Sequence, residues 1–172
     1  MSEFNVSYEN LSEEQIYIAI NSKMQYLFPK TDSDLSKLSN FTALLKQSLG
    51  KISWVGFYFF DGNKLHLGPF QGKIACTQIN LGSGVCGNSI KERKTLIVEN
   101  VNKFPGHIAC DSESKSEIVI PIISGNDIFG VLDIDSYRYS AFTEVDEKYL
   151  VESVKFLVRE INFKKIIHSL FE

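Results

Sequence analysis

Three cysteines in the middle third of the chain are the first candidates for chemistry. Cys76 falls in a predicted strand and Cys110 in a predicted polar loop. Cys86 follows Gly84 and opens a predicted helix, where the helix dipole favours a thiolate. Free cysteines are mostly small, buried apolar residues, but the contexts of these three differ. The pattern therefore favours thiol redox chemistry over simple packing.

The sequence neighbours of Cys110 do not by themselves make it reactive. Asp111 and Glu113 are acidic, and nearby negative charge raises the pKa of a thiol. A reactive Cys110 therefore requires a compensating group. His107, Lys115 or a backbone amide are the candidates.

Three carboxyl groups, those of Glu117, Asp133 and Asp135, form the second candidate set. Asp133 and Asp135 lie two positions apart near the end of a predicted strand, so their side chains share one face of the sheet. Leu132 and Ile134 then share the other face. Close packing of carboxyl groups raises at least one pKa, and a carboxyl that stays protonated near neutrality can act as a general acid. The alternative is a solvated strand end.

Aromatic side chains alternate along the first predicted strand. Trp54, Tyr58 and Phe60 share one face, and Phe57 and Phe59 share the other. Core packing accounts for Phe57 and Phe59. Trp54 and Tyr58 combine a large ring with a polar group, which suits the wall of a small-ligand pocket.

No motif indicates a metal or a cofactor. Cys76 and Cys86 lie ten positions apart, and His107 stands alone beside Cys110, so zinc-ligand spacing is absent. The Gly-Ser-Gly segment at 82–84 lacks the third glycine of a dinucleotide-binding loop.

Hydrophobic periodicity predicts four helices and about six strands. The helices cover residues 12–28, about 35–50, 85–92 and 143–167. The strands cover residues 52–60, 64–70, 72–81, 95–98, 117–123 and 128–134. A long polar loop at 100–116 carries Cys110, and loops of this length are usually functional or mobile.

This order of elements predicts the α+β class. Strands joined by hairpins form a central antiparallel sheet, and helices segregated at the two ends of the chain pack on one of its faces. The other face is then free to hold a pocket.

Composition narrows the class of protein. The 172 residues fit one domain, 1–172, and the 44% apolar and 23% charged residues are typical of globular proteins. A net charge of -3 provides no basic stripe for nucleic acid. No apolar run approaches the roughly 20 residues of a membrane span.

The N-terminal segment and the cysteine count indicate the compartment. Residues 1–10 contain Glu3 and Glu9 without a basic cluster, unlike a signal peptide. We therefore expect a cytoplasmic protein whose three cysteines are free thiols at rest. Their odd number also argues against a structural disulfide framework.

Longer motifs around these residues resemble the free methionine-(R)-sulfoxide reductases, single-domain proteins with the GAF fold. The matching segments are WVGFY (54–58), LGPFQGK (67–73), GVCG (84–87), FPGHIACD (104–111), SKSEIVIP (114–121) and GVLDIDS (130–136). The resemblance covers about residues 11–157. FPGHIACD and GVLDIDS, with three placed cysteines, are far more specific than the apolar pattern of a GAF domain.

The resemblance implies a GAF-like fold and a thiol mechanism. The activity would be reduction of free methionine-(R)-sulfoxide, with thioredoxin as reductant. Cys110 would be the nucleophile and Cys76 the resolving thiol. Cys86 would be an auxiliary thiol and is the second candidate for nucleophile.

The resemblance also assigns the substrate-binding residues. Glu117, Asp133 and Asp135 would handle the substrate, and Trp54 and Tyr58 would form the pocket wall. A homodimer is expected because the family often forms one. Two other functions stay open: a GAF-type small-ligand sensor without catalysis, and a thiol-based redox or interaction protein without a small substrate.

Overall fold

A six-stranded antiparallel sheet forms the centre of the structure, a computed structural model that describes residues 8, 10–107 and 110–171. The strands are β1 (Trp54–Phe60), β2 (Lys64–Gln71), β3 (Gln78–Asn80), β4 (Leu96–Val98), β5 (Ser116–Ser124) and β6 (Asp127–Ser136). They lie in the order β3-β2-β1-β6-β5-β4. The predicted α+β class with a six-stranded antiparallel sheet is confirmed. Most of segment 1–10, expected not to be a signal peptide, and positions 108 and 109 lie outside the described residues.

Five helices accompany the sheet in the described part of the chain. They are α1 (Glu13–Leu27), α2 (Asp34–Ser48), α3 (Gly84–Glu92), α4 (Glu144–Glu160) and α5 (Phe163–Phe171). Ser12 caps α1 in a capping box with Gln15, and Thr143 caps α4 in the same way with Asp146. Among the described residues, no helix has the length and apolar character that crossing a membrane requires.

The two faces of the sheet carry separate apolar clusters. Helices α1, α2, α4 and α5 pack on one face, where Phe57 and Phe59 of β1 meet Ile134 of β6. The other face, which α3 covers in part, holds Trp54 and Tyr58. The predicted alternation of β1 and the packing of the terminal helices on one face are both confirmed. The α3 face is the one left for a pocket.

The predicted C-terminal helix at 143–167 is in fact two helices. Helix α4 ends because Ile161 adopts an extended conformation, with φ -114° and ψ 132°. The Asn162 side chain then accepts a hydrogen bond from the Lys165 amide at 3.0 Å, which begins α5. The Asn162 amide also donates to Asp34 of α2 at 3.0 Å, so a contact distant in sequence fixes the break.

The segment predicted as a strand at 72–81 is mostly loop. Within this segment only β3 is a strand, and it pairs with β2. Cys76 therefore lies in the loop 72–77 rather than in a strand. The described part of the predicted loop 100–116 is irregular, apart from a 3₁₀ turn at Val101–Lys103 and the start of β5 at Ser116. Two irregular segments, each carrying a cysteine, thus lie beside the α3 face.

Candidate functional site

A pocket on the α3 face brings together most of the residues that the sequence singles out. Together with its open mouth, it takes in about 550 Å³ of space that protein atoms leave unfilled. Seven of the eight predicted site residues line it: Trp54, Tyr58, Cys86, Cys110, Glu117, Asp133 and Asp135. The eighth, Cys76, reaches the site through its bond to Cys110.

Strand register sets the pocket floor. Trp54 on β1 pairs with Asp135 on β6, and Asp135 pairs in turn with Glu117 on β5, so the three form one row across the sheet. Asp133 follows two positions away on the same face, opposite Gly56. The predicted shared face of Asp133 and Asp135 is confirmed. Carboxylates directly opposite each other destabilise a sheet, so this arrangement costs stability.

Burial changes the protonation of the three carboxyl groups. Desolvation raises the pKa of Glu117 well above its usual value, and the charges of Asp133 and Asp135 raise it further. Desolvation raises the pKa of Asp133 to about 6. Asp135 also has a raised pKa, from desolvation and then from the charge of Asp133. The cluster therefore retains protons near neutral pH, which a general acid requires.

Cys86 is a buried thiol held against the acids. Its Sγ lies 3.9 Å from Oε1 of Glu117. Desolvation raises the pKa of Cys86 well above its usual value, and the charges of Asp133 and Glu117 add to the effect. The expected stabilisation of a thiolate by the start of α3 is therefore wrong, because burial and negative charge outweigh the helix dipole.

Cys76 and Cys110 form a disulfide, with their Cα atoms 5.5 Å apart. The expectation that all three cysteines are free thiols is wrong for this pair, and of the three only Cys86 keeps a free thiol. The bond joins the loop before β3 to the loop before β5. It links the two cysteines that the family resemblance assigns as nucleophile and resolving thiol, so the structure corresponds to an oxidised form.

The aromatic wall holds the loop that carries Cys76. The indole N–H of Trp54 donates to the Lys73 carbonyl at 3.0 Å. The Tyr58 hydroxyl donates to the Cys76 carbonyl, also at 3.0 Å. The Trp54 ring stacks on Phe70, with ring centroids 5.5 Å apart. The polar groups of Trp54 and Tyr58 therefore fix backbone, and their rings remain to line the pocket.

Ionic contacts join the two cysteine-bearing loops beside the disulfide. Lys73 pairs with Glu113 and, at 3.4 Å, with Asp111. The Tyr137 hydroxyl donates to Oδ2 of Asp111 at 2.9 Å. The Lys73 ammonium also lies 5.1 Å from the centroid of the Tyr137 ring. We call Lys73, Asp111, Glu113 and Tyr137 the loop clamp.

Lys73 places a positive charge beside the residue that follows Cys110, since it pairs with the adjacent Asp111. Lys115, one of the predicted candidates, instead places its ammonium over the ring of Tyr139. His107 lines the pocket, but burial lowers its pKa, which favours the neutral ring. The clamp lysine was not identified from the sequence because it lies far from Cys110 in the chain.

One group in the pocket has the composition of a metal site. Cys86, Glu117 and Asp133 each offer a ligand atom, and these atoms all lie within 4.8 Å of one another. They come from α3, β5 and β6, so no local spacing in the sequence could indicate them.

Comparison with known proteins places this site in a family. A model of the GAF domain matches residues 36–155. GAF domain-containing protein A of Dictyostelium discoideum is 48% identical to this chain. The match covers 85% of this chain and 92% of the Dictyostelium protein. The free methionine-R-sulfoxide reductase of Escherichia coli is 41% identical over 92% of this chain and 98% of its own. The chain belongs to the free methionine-R-sulfoxide reductase family of GAF domains.

A solved structure agrees with this assignment. The X-ray structure of free methionine-R-sulfoxide reductase from Neisseria meningitidis, in complex with its substrate, is 37% identical and matches with a TM-score of 0.84. The match covers 95% of this chain and 96% of that one. The resemblance read from the sequence motifs is thus confirmed at the level of the free methionine-R-sulfoxide reductase family.

The sequence did not identify two residues that shape this reductase-family site. Gly56 lies beside the Trp54 ring, and an added Cβ would come within 2.6 Å of the Phe70 Cβ and closer still to that ring. Ser114 is buried, and its hydroxyl lowers the pKa of Asp135 against the effect of burial. Both lie inside quoted motifs, WVGFY and SKSEIVIP, but only the folded sheet reveals their contacts.

Proposed function

We propose that this protein reduces free L-methionine-(R)-sulfoxide to L-methionine, as a single catalytic domain spanning 1–172. The observation that carries the proposal is the Cys76–Cys110 disulfide beside a pocket lined by three carboxyl groups, of which those of Glu117 and Asp133 are buried. A disulfide is what a sulfenic acid and a second thiol leave behind. The carboxyl groups supply the proton that sulfoxide reduction needs.

The reaction begins at Cys110. Its thiolate attacks the sulfoxide sulfur, which becomes electrophilic when a carboxyl group of the cluster protonates the sulfoxide oxygen. That oxygen passes to Cys110, so methionine leaves and Cys110 becomes a sulfenic acid. The Cys76 thiol then condenses with the sulfenic acid, forming the disulfide and releasing water. Cys86 serves as an auxiliary thiol beside the acids.

The pocket chemistry also favours a free amino acid. A carboxylate among Glu117, Asp133 and Asp135 can pair with the substrate ammonium, a group that a residue inside a peptide lacks. A buried charge left unpaired would then reject the peptide-bound form. Trp54 offers an aromatic surface to the S-methyl group, and Tyr58 completes the wall.

Regeneration requires a thiol reductant, and we propose thioredoxin. Thiol–disulfide exchange needs access to a disulfide sulfur, and Cys110 is an exposed residue. Such a reductant is available in the cytoplasm, where we expect the protein to act. A homodimer is expected by resemblance to the family.

The deciding experiment offers the purified protein the R and S epimers of free methionine sulfoxide with a thioredoxin-coupled reductant. We expect methionine from the R epimer only. Cys110→Ser should abolish turnover, and the matched control Cys86→Ser should still form methionine in a single turnover. Retained turnover in Cys110→Ser would make Cys86 the nucleophile.

The same preparation separates the other two functions. Saturable binding of a different small molecule, with no sulfoxide turnover, would indicate a GAF-type sensor. Reversible disulfide formation that is indifferent to methionine sulfoxide would indicate a thiol-based redox protein.

A further inference from the structure

Cys86, Glu117 and Asp133 already stand close to the geometry of a zinc site. In tetrahedral zinc centres with Zn–S of about 2.3 Å and Zn–O of about 2.0 Å, sulfur and oxygen ligands lie about 3.5 Å apart. Sγ of Cys86 and Oε1 of Glu117 are 3.9 Å apart. All three ligand atoms lie within 4.8 Å of one another. Small side-chain shifts would therefore complete three corners of a tetrahedron.

A second observation concerns a buried oxygen of the same cluster. Asp133 is only 6% exposed, and among the described residues its Oδ1 has no hydrogen-bond partner. Buried polar atoms without partners are rare and costly. Asp133 lines the pocket, so a cation that enters the pocket can reach this oxygen.

We propose that Cys86, Glu117 and Asp133 bind a divalent cation of the zinc type, and that this cation excludes methionine sulfoxide from the pocket. The metal site stands on the geometry alone. The competition rests on the proposed function, because it assumes that Glu117 and Asp133 also bind the substrate. The site is thus an inhibitory one.

The ligand set selects the kind of cation. A thiolate with two carboxylates suits Zn²⁺, whereas Mg²⁺ and Ca²⁺ take oxygen ligands only. On binding, the Cys86 sulfur gives its proton to solvent and forms a bond to the metal. The pocket side of the cluster leaves the fourth position to water. No electron transfer is involved, so no oxidant or reductant is needed.

The disulfide form of the protein provides a clean test. With Cys76 and Cys110 bonded to each other, Cys86 is the one free thiol among the three cysteines. We would titrate this form with Co²⁺, whose charge-transfer band reports a thiolate ligand, and then displace Co²⁺ with Zn²⁺. We expect one equivalent of Co²⁺ to bind with that band. Binding without the band, or no binding, overturns the proposal.

Variants then assign the ligands. Cys86→Ser should remove the band, and both Cys86→Ser and Asp133→Asn should weaken Zn²⁺ binding by at least the roughly 10–100-fold that loss of an outer-shell partner costs. Glu113→Gln, which alters an acid outside the ligand set, is the matched control and should bind normally. A surface pair, His66 with Asp61 at 2.7 Å, is the main rival site. Unchanged binding in Cys86→Ser would assign the metal elsewhere and overturn the proposal.

A competition arm separates the two proposals. Without a reductant the disulfide form cannot turn over, so methionine sulfoxide acts only as a ligand and should displace Co²⁺. Metal binding in a protein that lacks reductase activity would leave the metal site standing and remove the proposed function. Reductase activity with no metal binding would support the proposed function and overturn the metal site. Simultaneous binding of metal and methionine sulfoxide would overturn the exclusion.

Discussion

At the scale of single residues, the two sulfurs that face the pocket have opposite properties. Cys110 is exposed and lies next to the loop clamp, with its lysine. Cys86 is buried, and its proton is held by desolvation and by the charges of Asp133 and Glu117. Attack on a sulfoxide needs a thiolate, so the environment favours Cys110 for that step. The acids that suppress Cys86 are the ones that can protonate the substrate.

The burial of Asp133 predicts that this residue lowers the stability of the folded protein while serving its activity. Its folded pKa of about 6 is above the unfolded value of about 3.9, so the folded state binds the proton more tightly. Stability therefore falls as pH rises from about 4 to about 6, and the loss persists above pH 6. Asp133→Asn removes that loss. We expect the variant to be more stable by about 3 kcal/mol at pH 7 and to match the parent below about pH 4.

Urea unfolding at the two pH values checks this expectation, with turnover measured on the same samples. Turnover should fall by about 10²-fold or more if Asp133 takes part in acid catalysis. The control is Asp127→Asn, which alters an exposed acid at the opposite end of β6. It should change neither the free energy of unfolding nor the turnover. A less stable Asp133→Asn protein at pH 7 would contradict the argument.

At the scale of elements, the site depends on two loops held against a rigid sheet. The loop 72–77 is tied to β1 through the side chains of Trp54 and Tyr58. The loop before β5 is tied to β6 through Tyr137 and Asp111. Lys73 then links one loop to the other. Because the two cysteines lie on these loops, the clamp increases the time that their sulfurs spend near each other.

Removing the charge of Lys73 should therefore make the disulfide easier to reduce. Lys73→Met keeps the aliphatic stem but loses both ion pairs. These pairs are exposed to solvent, so screening keeps their joint contribution small. Against a glutathione buffer, we expect the equilibrium constant for disulfide formation to fall about fivefold, which raises the reduction potential by about 20 mV.

Salt and a matched variant make this test specific. At 1 M salt, where charges are screened within about 3 Å, the difference between Lys73→Met and the parent should shrink. Lys164→Met breaks the exposed pair with Asp127, far from the cysteines, and should leave the potential unchanged. An unchanged potential in Lys73→Met at low salt would show that the sheet alone aligns the two cysteines.

Local patterns predicted what depends on local geometry. The shared face of Asp133 and Asp135 follows from the two-residue period of a strand, and the structure confirms it. Cys76 was misplaced in a strand because its loop is held by hydrogen bonds from β1, distant in sequence. The break before α5 was missed for a similar reason, since Asp34 of α2 helps to fix it. The disulfide depends on the redox state, which no sequence encodes.

At the scale of the whole molecule, the sheet separates stability from chemistry. The helix-covered face holds the large apolar cluster, and the α3 face carries the buried acids, which cost stability. A polar network supports the first face: Asp146, fully buried on α4, accepts from the Tyr17 hydroxyl at 2.6 Å and pairs with Lys51 at 2.6 Å. It also accepts from the Thr143 amide at 2.8 Å. One side chain thus joins α1, α4 and the segment before β1.

Asp146→Ala should consequently destabilise the protein without altering the chemistry of the pocket. Removing one partner of a buried ion pair costs about 3 kcal/mol. Within the described ranges, Lys51 then keeps only Glu13 as a carboxylate partner, and the Tyr17 hydroxyl loses its acceptor. For a chain of this size we expect the Tm to fall by about 6–12 °C. Lys148→Met, which removes an exposed contact with Glu14 at 3.4 Å, is the control and should leave the Tm unchanged. Calorimetry gives the Tm, and turnover measured well below it should match the parent. A loss of turnover in the folded Asp146→Ala protein would show that the two faces of the sheet are coupled.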